Sequence, residues 1–491
     1  MSDRLPSGFF FFCSDLVRIS TFVVVILLFS VLIPSKALAF DPSAPFFDPL
    51  FALPDKSLSR TSLPGDSAPL TCPDSLDSSE PLELGVAVDI ALCNNPRLKA
   101  TWAAVKRQSA VVGQARAAWL PTVSGSVNFM RTRYEYPGSG VDSETQDGRT
   151  INANLRWRLF DFGGRRANQK SANSMLAASF AFHDAELQNK LTEVVQGYFN
   201  AVTAQAILHA KNQHESIADH TLQTARRRET RGAAARGDIL QAATALARAN
   251  LDKSRASGEY RKTEAALMSL LAVPVQTQVV LPKDLTEGGA WDQKNLEEWL
   301  KIAEETHPSI IAARAELESA RQKIVATRSE GLPTVDLSLS YYKNGYPNQG
   351  LSRTESGIST ASLSINIPLF DGFSHTYRIR EAEAMAEQQK AAMLEAERVV
   401  LLETARAHAE TKTALDSLKI SEQLLDIAQE SLSVAQRKYE KGAADILELL
   451  NTQAALADAR QERIRSLAEW RTAALKLLAE VGVLGREAMN K

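Results

Sequence analysis

A short stretch of sequence occurs twice in this chain: Leu120-Pro121-Thr122-Val123 and, 212 residues later, Leu332-Pro333-Thr334-Val335. Further along, Leu159-Phe160-Asp161 recurs after 210 residues as Leu369-Phe370-Asp371. Other matches in the same two registers extend over most of each copy. Because chance matches rarely hold one register for so long, the chain of 491 residues consists of two copies of one structural unit.

Each copy has the same predicted order: a helical stretch, two short strands, a very long helix, a Gly-Ala turn and a second helix. The first helical stretches cover about 86–118 and 296–330. The long helices run from Gly164 to Thr230 and from Ser374 to Glu440, where strong helix formers dominate and no proline occurs. At 1.5 Å per residue such a helix reaches roughly 100 Å, a length typical of coiled-coil packing.

Polar and apolar residues alternate along the four predicted strands, which gives each strand two different faces. The apolar face carries Val123, Val127, Phe129, Ile151, Ala153, Leu155, Trp157, Leu159, Val335, Leu337, Leu339, Tyr341, Ala361, Leu363, Ile365 and Ile367. The predicted hairpin loops, about 137–148 and 346–358, are rich in Gly, Ser, Asp and Asn.

Two interpretations of these strands are open: a soluble sheet packed on helices, or the lipid-facing part of a membrane barrel with a water-filled lumen. Four strands cannot close a barrel and an open edge is not tolerated in lipid, so the second interpretation requires several chains. Three chains would supply twelve strands and a closed ring of helices. The predicted fold is mainly α with a small β part, in which long coiled-coil helices and four strands form a tandem-repeat protomer.

Charge and hydropathy narrow the possible function classes. The chain has 56 Lys and Arg against 58 Asp and Glu, a net charge of −2. It lacks the excess of basic residues that is typical of nucleic-acid binding. A mean hydropathy of −0.18 excludes a polytopic helical membrane protein but is compatible with barrel strands, whose polar and apolar residues average out.

The N-terminal region has the pattern of a secretory signal. An apolar run covers residues 21–33, Arg18 precedes it, and Ala37-Leu38-Ala39 offers a cleavage site after Ala39. The alternative is an uncleaved membrane anchor. Two cysteines remain after cleavage, and in an oxidising compartment Cys72 and Cys93 are expected to pair, with two buried free thiols as the alternative.

These features resemble the TolC-like outer-membrane channel proteins, from about Leu82 to Leu484. The motifs are Leu-Pro-x-Val at both helix-to-strand junctions, Pro368-Leu-Phe-Asp-Gly372 with its degenerate copy Arg158-Leu-Phe-Asp-Phe-Gly163, and Ala91-Leu-Cys-Asn-Asn-Pro96. The resemblance implies a homotrimer with a twelve-stranded barrel in the outer membrane and a helical tunnel through the periplasm. The Leu-Cys-Asn-Asn-Pro variant is similar to the branch that serves type I protein secretion.

The resemblance also assigns roles to residues. It places the helix-to-helix turns at the periplasmic tip, where they contact an adaptor protein: Gly232, Ala233, Ala234, Ala235, Gly442, Ala443, Ala444 and Asp445. It implies a constriction gate near them, formed by Asp238, Tyr439, Glu448 and Asn451, in which threefold symmetry makes each acid a ring that favours cations. Asn451 stands where the family has a second acid, and Ala444 where it has an arginine that helps to lock the gate. The helix-strand junction residues are Pro121, Asp161, Pro333, Asp371 and Gly372.

Motifs of catalysis are missing from the sequence. It has no H-E-x-x-H, no C-x-x-C, no P-loop and no G-x-G-x-x-G, and no two of its seven histidines have the i, i+4 spacing of a helical metal site. We therefore expect no enzyme, no metal and no cofactor, and a transport driven by partner proteins.

The predicted organisation follows the repeat. It comprises a signal peptide (1–39), an extended segment (40–83), repeat 1 (84–272), an equatorial linker (273–295), repeat 2 (296–484) and a C-terminal tail (485–491). The expected function is a passive exit duct in the outer membrane, in contact with lipid, an adaptor and an inner-membrane ABC or proton-driven transporter. The expected cargo is secreted protein, and efflux of small molecules is the alternative. A second alternative to the duct itself is a periplasmic coiled-coil structural protein.

Overall fold

The computed structural model describes residues 48–52, 81–138, 140, 142–274, 276–277, 279–282, 294–343 and 356–485. The chain divides into two units, Met1–Leu53 and Pro54–Lys491. In the first unit the described residues form a turn, in which the Phe51 N–H donates to the Asp48 carbonyl at 3.4 Å. The predicted signal peptide, most of the extended segment and of the C-terminal tail, and part of the linker lie outside the described residues.

The second unit contains eight helices and four strands among its described residues. They are α1 (Leu84–Asn94), α2 (Pro96–Ala117), β1 (Thr122–Tyr134), β2 (Glu144–Phe160), α3 (Gly164–Thr230), α4 (Arg236–Leu270), α5 (Leu296–Thr306), α6 (Pro308–Ser329), β3 (Thr334–Lys343), β4 (Gly357–Asn366), α7 (Ser374–Glu440) and α8 (Ile446–Glu480). The helices α5 and α6 repeat the bounds of α1 and α2 after 212 residues, and α7 and α8 repeat those of α3 and α4 after 210. The predicted fold class, mainly α with four strands in two copies, is confirmed.

The first helical stretch of each copy consists of two helices, separated by one residue. The break falls before Pro96 and before Pro308, because proline has no N–H and forces the preceding residue to be extended. That preceding residue caps the next helix. The Asn95 Oδ1 accepts from the Arg97 N–H at 2.8 Å, and the His307 Nδ1 accepts from the Ser309 N–H at 3.2 Å.

The four strands form one antiparallel sheet in the order β1-β2-β3-β4. Its register pairs apolar with apolar residues, as in Val123 opposite Leu155, and polar with polar, as in Ser124 opposite Asn154. The β1–β2 hairpin is longer than predicted, since residues 144–148 belong to β2 rather than to a loop. Within this extension Arg131 and Asp147 face each other across the ladder and form a bidentate ion pair at 2.6 and 2.7 Å.

The largest hydrophobic cluster lies around the short helices, and smaller clusters lie along the long helices. Val88 of α1 packs in this cluster with Leu191 and Val195 of α3 and Leu267 of α4. Trp299 of α5 belongs to a second cluster, which includes the end of α8. The smaller clusters combine alanine with leucine and isoleucine, and the one at the start of α8 contains Tyr439, Ile446 and Leu449. None of the helices in the described parts of the chain combines the length and the apolarity that a membrane crossing requires.

Candidate functional site

The first tip turn, residues 231–235, joins α3 to α4. Gly232 adopts a left-handed φ of 72°, which a glycine tolerates without steric cost. The Ala233 N–H donates to the Arg228 carbonyl at 2.8 Å, so the turn ends the helix in a Schellman-type cap. The structure thus places the predicted residues 232–235 in a tight helical reversal.

The second tip turn, residues 441–445, joins α7 to α8 by the same backbone path. Gly442 has a φ of 75°, and the Ala443 N–H donates to the Lys438 carbonyl at 2.8 Å. Glycine recurs at this position because the left-handed conformation is costly for other L-residues.

The helices that follow the two turns begin with different caps. In the first turn the Asp238 carboxylate reaches back and accepts from the Ala235 N–H at 3.2 Å. In the second turn the cap comes from Asp445, whose carboxylate accepts from the Glu448 N–H at 2.8 Å. Each carboxylate satisfies an orphan N–H at a helix start. Asp238 is therefore occupied in capping, whereas the carboxylate of Glu448 does not serve as a cap.

Arg228 connects the ends of the two long helices. Its guanidinium carbon lies 4.5 Å from the centre of the Tyr439 ring, and its Nη1 donates to the Tyr439 backbone carbonyl. The Tyr439 side chain is buried, and its hydroxyl has no hydrogen-bond partner among the described residues. Burial raises the pKa of the Tyr439 phenol; Arg228 opposes this shift and the Asp238 carboxylate adds to it. Asp238, Tyr439 and Arg228 therefore form one electrostatic cluster.

Among the described residues, no hydrogen bond or ion pair joins the other two predicted gate residues to this cluster. The Glu448 Oε1 is 3.4 Å from the Nζ of Lys438, and both side chains are about half exposed, so water screens this ion pair. Asn451, one turn further along α8, is exposed. Ala444, at the position of the family arginine, lies within the second tip turn.

The first strand-to-helix junction is held by a buried arginine. The Arg165 Nε lies 3.1 Å from the Asp161 carboxylate, and both side chains are nearly buried. The guanidinium also donates to the carbonyls of Arg158 and Leu159 at 2.6 and 3.1 Å, and it lies 4.4 Å from the centre of the Trp119 ring. One side chain thus ties the end of β2 to the start of α3.

The second junction uses exposed groups instead. The Asp371 carboxylate accepts from the His375 N–H at 2.7 Å and lies 3.7 Å from Arg378, whose side chain is 47% exposed. Gly372 and Phe373 both adopt left-handed φ angles, 67° and 66°. Phenylalanine is rare in this conformation, so the turn carries local strain.

Prolines stand at both helix-to-strand junctions. Pro121 and Pro333 immediately precede β1 and β3, where a proline prevents the preceding helix from continuing. Cys93, in the last turn of α1, is disulfide-bonded. Cys72 lies outside the described residues, so its pairing with Cys93 stays a prediction. In the described ranges no group of His, Cys, Asp or Glu side chains has the arrangement of a metal site.

The sequence analysis missed Arg228 and Arg165. Arg228 looks like any basic residue in the last turn of a helix, where a cation complements the helix dipole, and only tertiary packing brings it to Tyr439. Arg165 had a local signal, because Asp161 stands four residues before it, but the spacing does not reveal burial.

Comparisons with known proteins agree with this architecture. The profile of the family described as "Outer membrane efflux protein" matches residues 87–273 and 299–483. Protein CyaE of Bordetella pertussis is 35% identical over 429 residues, which cover 87% of this chain and 90% of that protein. Alkaline protease secretion protein AprF of Pseudomonas aeruginosa is 23% identical over 406 residues, 80% of this chain and 83% of that one.

A solved structure shows the same fold. The outer membrane channel CmeC of Campylobacter jejuni superposes with a TM-score of 0.70, covering 87% of this chain and 96% of that one at 16% identity. The double profile match, the extent of the likeness to CyaE and the shared fold agree with one another. The chain belongs to the outer membrane efflux protein family.

Proposed function

We propose that this protein is the outer-membrane exit duct of a tripartite export system and that three copies form it. The observation that carries the proposal is the sheet: it exposes one apolar face, with Val123, Phe129, Leu363 and Ile365 each more than half exposed in the protomer. Because β1 and β4 are the edge strands of the described sheet, three protomers supply a closed barrel of twelve strands whose apolar face meets lipid.

The long helices give the duct its periplasmic part. Each of α3 and α7 has 67 residues, which at 1.5 Å per residue is roughly 100 Å. Large apolar side chains of α7 lie exposed in the protomer at Ile420, Leu424 and Ile427, on the three-and-four spacing of a helix-packing stripe. Neighbouring protomers would cover this stripe and form the tunnel wall, whose tip turns would contact a periplasmic adaptor. Substrate transport would then be driven by an inner-membrane transporter and not by the duct.

Secreted protein is the proposed cargo, by a type I route. The support is the likeness to the alkaline protease secretion protein AprF. Efflux of small molecules is the second candidate, because the chain is also 24% identical over 404 residues to the pyoverdine export outer membrane protein OpmQ of Pseudomonas putida. The domain boundaries, the signal peptide and the Cys72–Cys93 disulfide belong to the same proposal.

The duct is tested by fractionation and by conductance. We expect the mature protein to co-sediment with outer membrane after a high-salt wash and to conduct ions in planar bilayers as a trimer. A protein that washes off with salt and conducts nothing would be a periplasmic coiled-coil protein instead.

The gate is tested at Glu448. Three symmetry-related Glu448 carboxylates would ring the constriction and attract divalent cations, which block the ion current. We expect Glu448→Ala to weaken the block of single-channel current by a divalent cation about tenfold. Glu469→Ala is the matched control, since Glu469 is also exposed on α8 but about 30 Å further along the helix. An equal block in wild type and Glu448→Ala would remove this residue from the constriction.

A further inference from the structure

Arginines crowd the surface around the first tip turn. Arg226 and Arg227 lie near the end of α3, Arg231 follows that helix, and Arg236 opens α4. All four side chains are exposed. Residues 226–238 contain five arginines and two carboxylates, so this segment carries a net charge of +3.

Contacts within the protomer do not account for this charge. Throughout the described residues, Arg226, Arg231 and Arg236 form no ion pair and no side-chain hydrogen bond, and Arg227 donates only to the Thr224 hydroxyl, at 3.0 Å. The nearby carboxylate of Asp238 is engaged in capping α4.

Helix stability does not account for the charge either. Cations in the last turn of α3 do complement the helix dipole. Arg236, however, is the first residue of α4, where a positive charge opposes the dipole and slightly destabilises the helix. The equivalent residue in the second copy is the apolar and buried Ile446. Helix stability therefore gives no reason for an arginine at this position.

The second tip turn shows that the backbone does not demand the charge. Residues 436–448 contain three cations and three carboxylates, a net charge of zero, on the same backbone path. There Lys438 also has a carboxylate partner in Glu448. The two turns would occupy the same level of the tunnel and yet present different charges.

We infer that the first tip turn docks an acidic protein surface, an Asp- and Glu-rich patch on the periplasmic partner, and that the second tip turn does not. This inference rests on the proposed duct function, which brings the tips to an adaptor. Protein is favoured over an anionic lipid surface because residues 231–238 hold only Arg, Gly, Ala and Asp, without an aromatic or large apolar side chain to insert. Charge complementarity would also set which of the two turns an adaptor segment meets.

The test uses two matched double variants of the full-length protein purified in detergent. Arg227→Glu with Arg231→Glu reverses two charges at the first turn, and Arg437→Glu with Lys441→Glu reverses the residues 210 positions later, which are also exposed. The probe is a fluorescent helical peptide of Glu-Glu-Ala-Ala repeats, and a Lys-Lys-Ala-Ala peptide is its control. Affinity is measured by anisotropy at low and high salt.

We expect the first double variant to bind the acidic peptide about tenfold more weakly than wild type at low salt, and the second variant to stay within about twofold. High salt should weaken the wild-type affinity and narrow the difference, because exposed charges are screened beyond about 10 Å at 0.1 M salt. Equal losses in both variants, or no loss in the first, would overturn the inference.

Two further measurements separate lipid binding from protein binding and test the duct independently. If wild type binds phosphatidylglycerol vesicles and the first double variant loses that binding but keeps the peptide, the turn recognises lipid and the inference is wrong. Conductance of the same preparations in planar bilayers reports on the duct separately. A wild type that binds the peptide but does not conduct would contradict the proposed function and not the charge recognition.

Discussion

The two tip turns follow one backbone path and differ in the side chains around it. Both have a left-handed glycine and the same hydrogen bond back to the preceding helix. In the first turn Arg228 reaches across to Tyr439, whereas its counterpart Lys438 contacts the nearby Glu448. The backbone requires glycine at one position only, so a duplicated unit keeps its turn while the surrounding residues acquire different roles.

The two strand-to-helix junctions differ in burial. In the first copy Arg165 and Asp161 form a nearly buried pair. In the second copy Arg378 lies 3.7 Å from Asp371 in a half-exposed position. An ion pair removed from water depends on both partners, while an exposed one contributes little. The first junction is therefore expected to tolerate substitution far less than the second.

The largest effect is expected at Arg165. Arg165→Ala leaves the Asp161 carboxylate without its buried partner and two strand carbonyls without their donor. We expect a loss of about 3 kcal/mol in the free energy of unfolding. The control is Arg378→Ala, which removes two half-exposed ion pairs, with Asp371 and with Glu330, and should cost less than about 1 kcal/mol. Urea unfolding of the solubilised protein, followed by circular dichroism, measures both, and similar costs for the two variants would contradict the difference in burial.

Most of the fold could be predicted from the sequence because both copies of the repeat show the same order of helices and strands. The long helices could be placed from Gly164 and Ser374 onward, where no proline interrupts either. The sequence analysis missed two local features: the helix break at Pro96 and the extension of β2 back to Glu144. A match between copies shows that two segments share a structure but does not show where that structure bends.

The candidate site was less predictable than the fold. The glycines of the tip turns could be found from their spacing, and the structure places them there. The contact of Arg228 with Tyr439 joins residues 211 positions apart, which periodicity within one helix cannot reveal. The proposed constriction at Glu448 would require symmetry between protomers, a property that no single chain contains.

A smaller effect is expected at Arg228. Arg228→Ala removes the cation–π contact and the hydrogen bond to the Tyr439 carbonyl, and so releases the end of α7 from α3. Together these contacts are worth about 1.4 kcal/mol, a factor of ten in the population of an open gate. We expect a correspondingly higher open probability in single-channel recordings. The control is Lys438→Ala at the equivalent position, which should change the open probability by less than about twofold.

The opposite results for Arg228→Ala and Lys438→Ala would also locate the gate. An unchanged open probability in Arg228→Ala, with a correctly assembled trimer, would mean that the link between the two long helices does not hold the tunnel shut. A large effect of Lys438→Ala would instead assign the closure to the second tip turn.

The smallest effect is expected at Asp184, a position that is half-buried and acidic in the first copy but exposed and apolar in the second. Asp184 is half-buried on α3, while Leu394, 210 residues later on α7, is 52% exposed. Burial raises the pKa of the Asp184 carboxyl to about 6, above the value of about 3.9 expected in the unfolded chain. The folded protein therefore holds this proton more tightly than the unfolded chain. The resulting stabilisation is complete below about pH 4 and is lost as the pH rises through 6.

Asp184→Asn tests this dependence on pH. The neutral side chain avoids burying a charge, so we expect the variant to be more stable than wild type by about 1 kcal/mol at pH 8 and the difference to vanish below pH 4. The pKa of the neighbouring His183 is lowered by burial, but His183 titrates in both proteins and largely cancels in the comparison. Urea unfolding at pH 4, 6 and 8 gives the profile. Leu394→Asn provides the control, because its effect should not depend on pH, and a constant difference between wild type and Asp184→Asn would show that Asp184 stays charged in the fold.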